Sequence, residues 1–324
     1  MNPIVKSVLR FFLRPFFRRI VEMPGRSYRG LFSALNADER LIKSRLENSV
    51  RVLSVDIGDR SLKCFAGLNG AAEFIEKSFV KSGYEVQRQR FVLGSQELVN
   101  LEVVLPGKSR PDEVIVIGAH YDTVPGTPGA DDNGSGVAAL LELAQSFAGK
   151  PQDRTIRFVA FSNEETRDYE RMGSYVYAER CKKAGDNVIG MISLEMLGVY
   201  SDKEGSQHYP FPFSLFYPSK GNFLAFVGNT ASAPFLSTCI AAFRSRCNFP
   251  SEGCNAPDWV ADANRSDHFP FWKFGYPGVM ATDTSNFRFP LYHTASDTIE
   301  QLDFESMARV VGGLARTIEV LARS

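Results

Sequence analysis

Residues 114–136 read Val-Ile-Val-Ile-Gly-Ala-His-Tyr-Asp-Thr-Val-Pro-Gly-Thr-Pro-Gly-Ala-Asp-Asp-Asn-Gly-Ser-Gly, and this stretch decides the fold. Residues 114–117 are a short β-branched run without polar alternation, the pattern of a strand buried on both faces of a parallel sheet. The run ends at Gly118-Ala119, and His120 and Asp122 follow at its carboxyl end. Open α/β sheets place their sites at that edge. Residues 125–129 form a Pro/Gly loop that is stiff and lets backbone approach closely. The loop delivers Asp131 and Asp132, and Asn133-Gly134 then open an apolar helical run over 137–144. An imidazole and several carboxylates converging there suit a divalent metal. The same letters also suit a buried histidine tied to a carboxylate, and a turn with a helix N-cap.

Working outward, the pattern repeats. Residues 157–161 read as a buried strand ending in Ser162-Asn163-Glu164-Glu165, and 188–194 as another ending in Glu195-Met196-Leu197-Gly198. Helices over 137–147 and 173–183 separate these strands. Strands alternating with helices predict an α/β fold, a mostly parallel (mixed) central sheet with helices on both faces. Upstream, Asn36 and Glu39 form a capping box for a helix to about residue 56. A second helix spans 62–82 and stops at Gly83. Residues 85–93 and 97–105 read as strands joined by a turn at Gly94-Ser95. Downstream, residues 200–222 are rich in Pro and aromatics and too irregular for an element. A helix is expected over 233–245, loop over 249–265, a short strand over 278–281, loop over 292–298 and a last helix over 304–321.

Composition bounds the function. The chain has 324 residues, 44% of them hydrophobic, with 37 Lys+Arg against 37 Asp+Glu. Zero net charge argues against nucleic acid as a partner. No apolar run approaches the ~20 residues of a membrane span. Five cysteines without a Cys-x-x-Cys pair argue against a thiolate zinc site. Cys247 and Cys254 bracket a Pro/Gly loop; a disulfide between them and free thiols in a reducing compartment are the two readings.

Residues 1–30 stand apart, with seven Lys/Arg against one acid, Glu22. Basic residues at 6, 10, 14 and 18 recur every four, interleaved with Phe11, Phe12, Phe16, Phe17 and Ile20. This is a basic amphipathic segment, broken or kinked near Pro15. Arginines interrupt every apolar core a secretory signal would need, so the expected location is cytoplasmic. Peripheral membrane contact through residues 1–25, a helix packed on the domain and a disordered tail all fit the pattern. The domain reading is a 1–30 N-terminal segment followed by one catalytic domain over 31–324.

The sheet topology would bring His120/Asp131, Glu164/Glu165 and Glu195 to one edge, with His293 supplied from the late loop. One zinc needs three or four ligands, and a pair about 3.5–4 Å apart needs about five with one bridging carboxylate. The inventory suits two ions. Neighbouring glutamates at a strand end can diverge, one to the metal and one to the attacking water as general base.

His120-Tyr121-Asp122, the 130–136 motif Ala-Asp-Asp-Asn-x-Ser-Gly, Asn163-Glu164-Glu165, Glu195-Met196-x-Gly198 and the 292–298 motif Tyr-His-Thr-x-x-Asp-Thr resemble, in order, the motifs of the co-catalytic zinc aminopeptidases, the M28 metallopeptidases. The likeness extends over about residues 60–322. It implies a zinc aminopeptidase-like fold, two zinc ions and a peptide or small aminoacyl substrate cleaved through a metal-bound hydroxide. It implies His120 and Glu195 completing one zinc's set each, Asp131 as bridge, and Glu165 and His293 as the remaining ligands. It further implies Glu164 as general base, Asp122 holding the His120 ring, and Tyr292 bonding the oxyanion. Asp267 would support the site from behind, His268 would be structural, and His208 has no motif support. Two features depart from the pattern: many relatives carry Asp where this chain has Glu195, and residues 166–172 replace a shorter Gly-containing link. Carboxypeptidase, glutaminyl cyclase and a non-enzymatic binding protein are the alternatives on the same fold.

Overall fold

Residues 114–117 alternate across their strand. Val114 and Val116 pack in one apolar cluster and Ile115 and Ile117 in another, all buried. The computed structural model describes residues 3–166, 168–257 and 260–323. In it the run belongs to a longer strand, β3 (Gly107–His120). Burying each of these side chains contributes about 1.5–3 kcal/mol, which is why an unalternating apolar run settles in the middle of a sheet.

The other strands are β1 (Gln87–Leu93), β2 (Gln96–Leu105), β4 (Gln152–Phe161), β5 (Asn187–Glu195), β6 (Leu224–Asn229), β7 (Ser251–Ala256) and β8 (Gly278–Thr282). They form one eight-stranded sheet in the order β1-β2-β4-β3-β5-β8-β6-β7. Strands β4, β3, β5 and β8 run parallel, while β2 joins β4 and β6 joins β8 antiparallel. The sheet is therefore mixed with a parallel centre, as expected. Its register pairs His120 with Phe161 and Glu195 with Thr282, so the parallel strands end together at one edge.

One face is covered by α2 (Ala37–Arg51), α3 (Phe65–Lys81), α4 (Gly136–Phe147), α6 (Ala233–Arg246) and α8 (Phe304–Arg323). Helix α8 buries Met307, Val310, Val311, Leu314, Ile318 and Leu321, spacings that fall on one side of a 3.6-residue turn. The other face is covered by α5 (Gly173–Ala184) and α7 (His268–Lys273), with Tyr177, Cys181 and Phe271 against Val116 and Val159.

Several boundaries moved. The capping box at Asn36 forms with both of its bonds at 2.9 Å, but regular α-helix ends at Arg51 and a wider turn, Val52–Ile57, follows. The expected loop over 249–265 contains edge strand β7, and its partner β6 carried no expectation. Strand β7 reads Ser-Glu-Gly-Cys-Asn-Ala, which has little β-propensity. It becomes a strand because β6 offers it a ladder. Helix α1 (Pro3–Val21) runs through Pro15 rather than breaking there. All five cysteines are free.

Candidate metal centre

Each parallel strand delivers one part of the site, and each strand-to-loop exit is held by hydrogen bonds that turn a side chain inward. After β3, the Pro/Gly loop folds around Arg60, which has no exposed surface. Its guanidinium donates to the carbonyls of Tyr121 (2.8 Å), Leu53 (3.0 Å), Gly58 (3.1 Å), Pro128 (2.7 Å) and Gly129 (2.9 Å). Burial lowers its pKa to about 10 against the raising pull of Asp297, Asp132, Asp122 and Asp59, so it stays a cation at neutral pH. Gly129 lies at φ 58, where a Cβ would meet the Asp132 carbonyl at 2.4 Å. Arg60 was not singled out from the sequence; one arginine in a Gly-Asp-Arg-Ser turn carries no signal of its own. Arg60→Met strands several buried carbonyls and should lower stability by about 3–5 kcal/mol. Urea unfolding checks this, and an unchanged midpoint would remove Arg60 as the organiser of the loop.

The loop ends in Asp131-Asp132, whose amides donate to the Asp297 carboxylate at 2.8 and 3.0 Å. The two side chains then part. Asp131 Oδ1 accepts from the Gly198 amide at 2.8 Å, and its carboxyl lies against Asp283. Burial and the Asp283 charge push Asp131 well above the usual carboxylate range. A Cβ on Gly198 would lie 2.7 Å from Asp131 Oδ1, which is why the Glu-Met-x-Gly motif ends in glycine. Asp132 turns the other way. Its Oδ1 lies 3.4 Å from His120 Nε2 and its Oδ2 lies 3.0 Å from His293 Nε2. Asp132, and not Asp131 as the expected bridge, thus lies between the two imidazoles. Sequence cannot distinguish adjacent aspartates, because the loop's exit direction decides which one points inward. Asn133 supports that exit: its Nδ2 donates to Leu194 O at 2.9 Å and its Oδ1 accepts from the Met196 amide at 3.0 Å.

The remaining donors complete two groups. His120, Asp132 and Glu195 form one, and Asp132, Glu165 and His293 the other, each with its donor atoms within 4.8 Å of one another. Glu195 Oε2 lies 3.4 Å from His120 Nε2 and accepts from Ser266 Oγ at 2.6 Å. Glu165 Oε1 lies 2.9 Å from His293 Nε2. Asn163, Met196 and His293 all take left-handed backbone, at φ 62, 46 and 60. Non-glycine residues in that region cost of order 1–3 kcal/mol each and cluster at functional sites.

Asp122 does more than expected. The His120 Nδ1 bonds the Asp122 carbonyl at 3.2 Å, with the Asp122 carboxylate 3.6 Å away. That carboxylate accepts the amides of Glu164 and Glu165, both at 3.0 Å. It thus ties the His120 exit to the Glu-Glu exit. Tyr292 stacks on His293 with centroids 3.7 Å apart. Burial, then the nearby carboxylates, push its hydroxyl well up, so it remains a donor. Asp267 is buried, and burial raises it to about 7 while the neighbouring His120 opposes. His268 bonds Ala263 O at 2.8 Å, and burial lowers its pKa to about 4, a neutral packed histidine. His208 is exposed in the aromatic segment.

The electrostatics are those of a site short of positive charge. Burial, then the charges of Glu165 and Glu195, raise Glu164 well above its usual range despite His120. Burial and Asp132 raise Glu165 to about 8. Burial disfavours the His293 imidazolium, but hydrogen bonds to Asp132 and Glu165 outweigh it and lift His293 to about 10. His120 Nε2 and Asp132 Oδ1 are buried without a hydrogen-bond partner. Two imidazoles and three carboxylates with orphaned buried donor atoms fit a divalent ion with nitrogen and oxygen ligands, zinc foremost. A pocket opens beside these donors. Asp132, Glu164, Glu165, Glu195 and Tyr292 form its polar end, and Phe213, Phe223, Ala225, Val227 and Met280 line its apolar walls.

The comparisons agree with this architecture. The model of Peptidase family M28 matches residues 100–318. An uncharacterized protein from Escherichia coli, YfbL, is 35% identical over 281 residues, covering 83% of this chain and 85% of its own. A probable leucine aminopeptidase from Arthroderma otae is 28% identical, covering 67% of this chain and 56% of its own. Aminopeptidase YwaD of Bacillus subtilis is 27% identical, covering 66% and 42%. The chain thus spans about half the length of those two aminopeptidases. Among solved structures, a zinc aminopeptidase from Bacillus subtilis superposes with TM-score 0.69 at 17% identity, covering 87% of this chain and 95% of that one. A glutaminyl cyclase from Fimbriiglobus ruber gives 0.63 at 22%, covering 90% and 98%. Fold and family define a metallopeptidase-type hydrolase. The chain belongs to peptidase family M28.

Proposed function

We propose that the protein is a zinc-dependent aminopeptidase whose catalytic domain spans residues 31–324. The observation that carries the reading is the pair of donor groups sharing Asp132, one carboxylate oxygen toward each imidazole, beside Glu164 at the polar end of an apolar pocket. His120 and Glu195 would hold one zinc ion, Glu165 and His293 a second, and Asp132 both. Bound zinc would polarise the scissile carbonyl and lower the pKa of water.

The chain's own residues do the rest. Glu164, raised by burial toward the working pH, takes the proton of the attacking water and returns it to the leaving amine. Tyr292, kept protonated, donates to the developing oxyanion. Asp122 fixes the backbone of Glu164 and so the position of its carboxylate. Glu164 and other carboxylates not neutralised by zinc at the polar end of the pocket accept hydrogen bonds from the substrate's α-ammonium, each charge-assisted bond contributing about 1.5–3 kcal/mol. The apolar walls receive the first side chain. The partner this reading implies is a peptide.

Carboxypeptidase action needs a cation for the terminal carboxylate. Arg171 is exposed and paired with Asp168 at 3.0 Å, and Arg167 lies outside the described residues. Arg265 lines the pocket, so the direction of attack needs a direct test. The experiment is a matched set of free, N-acetylated and C-amidated peptides, with an N-terminal glutamine peptide included. Acetylation should lower kcat/KM by at least about tenfold, near 1.4 kcal/mol, and amidation should change little. Chelation should abolish turnover and added zinc restore it. If amidation is the damaging change the enzyme is a carboxypeptidase, and cyclisation of the glutamine peptide without cleavage would make it a cyclase.

A further inference from the structure

Helix α1 presents three different sides. Leu9, Leu13, Phe17 and Ile20 are half-buried. Phe17 stacks on Phe216 at 5.3 Å and meets Phe213 edge-on at 6.0 Å. The chain after the helix continues along edge strand β7. Arg244 donates to Pro24 O at 3.0 Å, and Ser27 Oγ accepts from the Ser251 amide at 2.9 Å. The helix is therefore seated on the domain, beside the segment whose Phe213 walls the pocket.

The second side is apolar and open. Val5 (48% exposed), Val8 (50%), Phe12 (65%) and Phe16 (80%) follow at helical spacing, with Phe11 (76%) beside them. A soluble domain gains nothing by holding three phenylalanines in water. The third side carries Arg10, Arg14 and Arg18 at intervals of four, and Arg19 is exposed near the helix end. The first turn has no acid, and Glu22, bonded to Arg14 and Arg18, is the single acid of residues 1–30. No helix among the described residues is long and apolar enough to cross a membrane.

We propose that α1 is a preformed docking surface for an anionic lipid bilayer, lying in its interface with the phenylalanines inserted and the arginines at the headgroups. Charge complementarity selects this occupant. Two copies of the face would bring like charges together, whereas anionic headgroups neutralise them, contributing about 1 kcal/mol per arginine near the surface. Apolar insertion and headgroup attraction add, as in interfacial helices generally. Docking would set the domain on the membrane by the side that carries the aromatic wall of the pocket.

The test is flotation of the full chain with vesicles of phosphatidylcholine, alone or with one third phosphatidylglycerol. The protein should float with the anionic vesicles only. Binding should fall as salt approaches about 1 M, where screening reaches about 3 Å. Phe11→Ser with Phe12→Ser and Phe16→Ser should weaken binding about tenfold or more, while circular dichroism and hydrolysis of a soluble peptide stay unchanged. Failure of the wild type to float, or equal binding by the triple variant, would overturn the proposal. So would a wild-type dimer in sedimentation that the triple variant turns to monomer without vesicle binding, since the face would then belong to a second copy. None of these readouts depends on whether the enzyme is an aminopeptidase.

Discussion

Glu164→Gln should lower kcat by about 10²–10⁴-fold and leave the metal content and fold unchanged. The amide keeps the shape of the carboxylate but can neither accept a proton from water nor return one. Glu164 shares its turn with Glu165, and the two amides are held by the same Asp122 carboxylate, so the backbone gives no reason for the variant to rearrange. Glu165→Gln behaves differently. It removes an oxygen 2.9 Å from His293 Nε2 and should weaken metal binding on that side. Turnover and metal stoichiometry, measured on the same preparations, separate the two roles. Loss of metal in Glu164→Gln with full stoichiometry in Glu165→Gln would exchange the assignments.

The second large effect separates the adjacent aspartates. Asp132→Asn should lose metal from both groups and lower kcat by on the order of 10³-fold or more, if several kcal/mol of charge stabilisation depends on it. Asp132 is the only residue common to both donor groups among the described residues. Asp131→Asn keeps an oxygen for the Gly198 amide and removes a charge that lies against Asp283. It should retain metal and keep activity within about threefold. Metal analysis by mass spectrometry decides; equal metal loss in the two variants would return the bridging role to Asp131.

Much of the site was legible because its chemistry is written at strand ends. His120, Glu164/Glu165 and Glu195 each follow a buried apolar run, and parallel strands that start together end together. What was not legible has no local period. Strand β7, with no apolar pattern, exists through its partner β6. Arg60 acts through five backbone carbonyls, and any polar residue in a turn looks the same before the chain closes around it.

By itself the sequence determined the α/β class, the mixed sheet with a parallel centre, and the order in which the donor residues reach one edge. Periodicity and the right-handed crossover between parallel strands suffice for that, because burial of apolar side chains is nearly indifferent to loop detail. The tertiary structure alone decided which of two neighbouring carboxylates faces the imidazoles. That choice rests on directed hydrogen bonds to the Asp297 carboxylate, from the Asn133 amide to Leu194 O and from the Gly198 amide, made between residues 61 to 166 positions apart. Hydrophobic burial is non-directional and can be read as a pattern, whereas a metal centre needs individual atoms aimed to a fraction of an ångström, and only the closed fold supplies their partners.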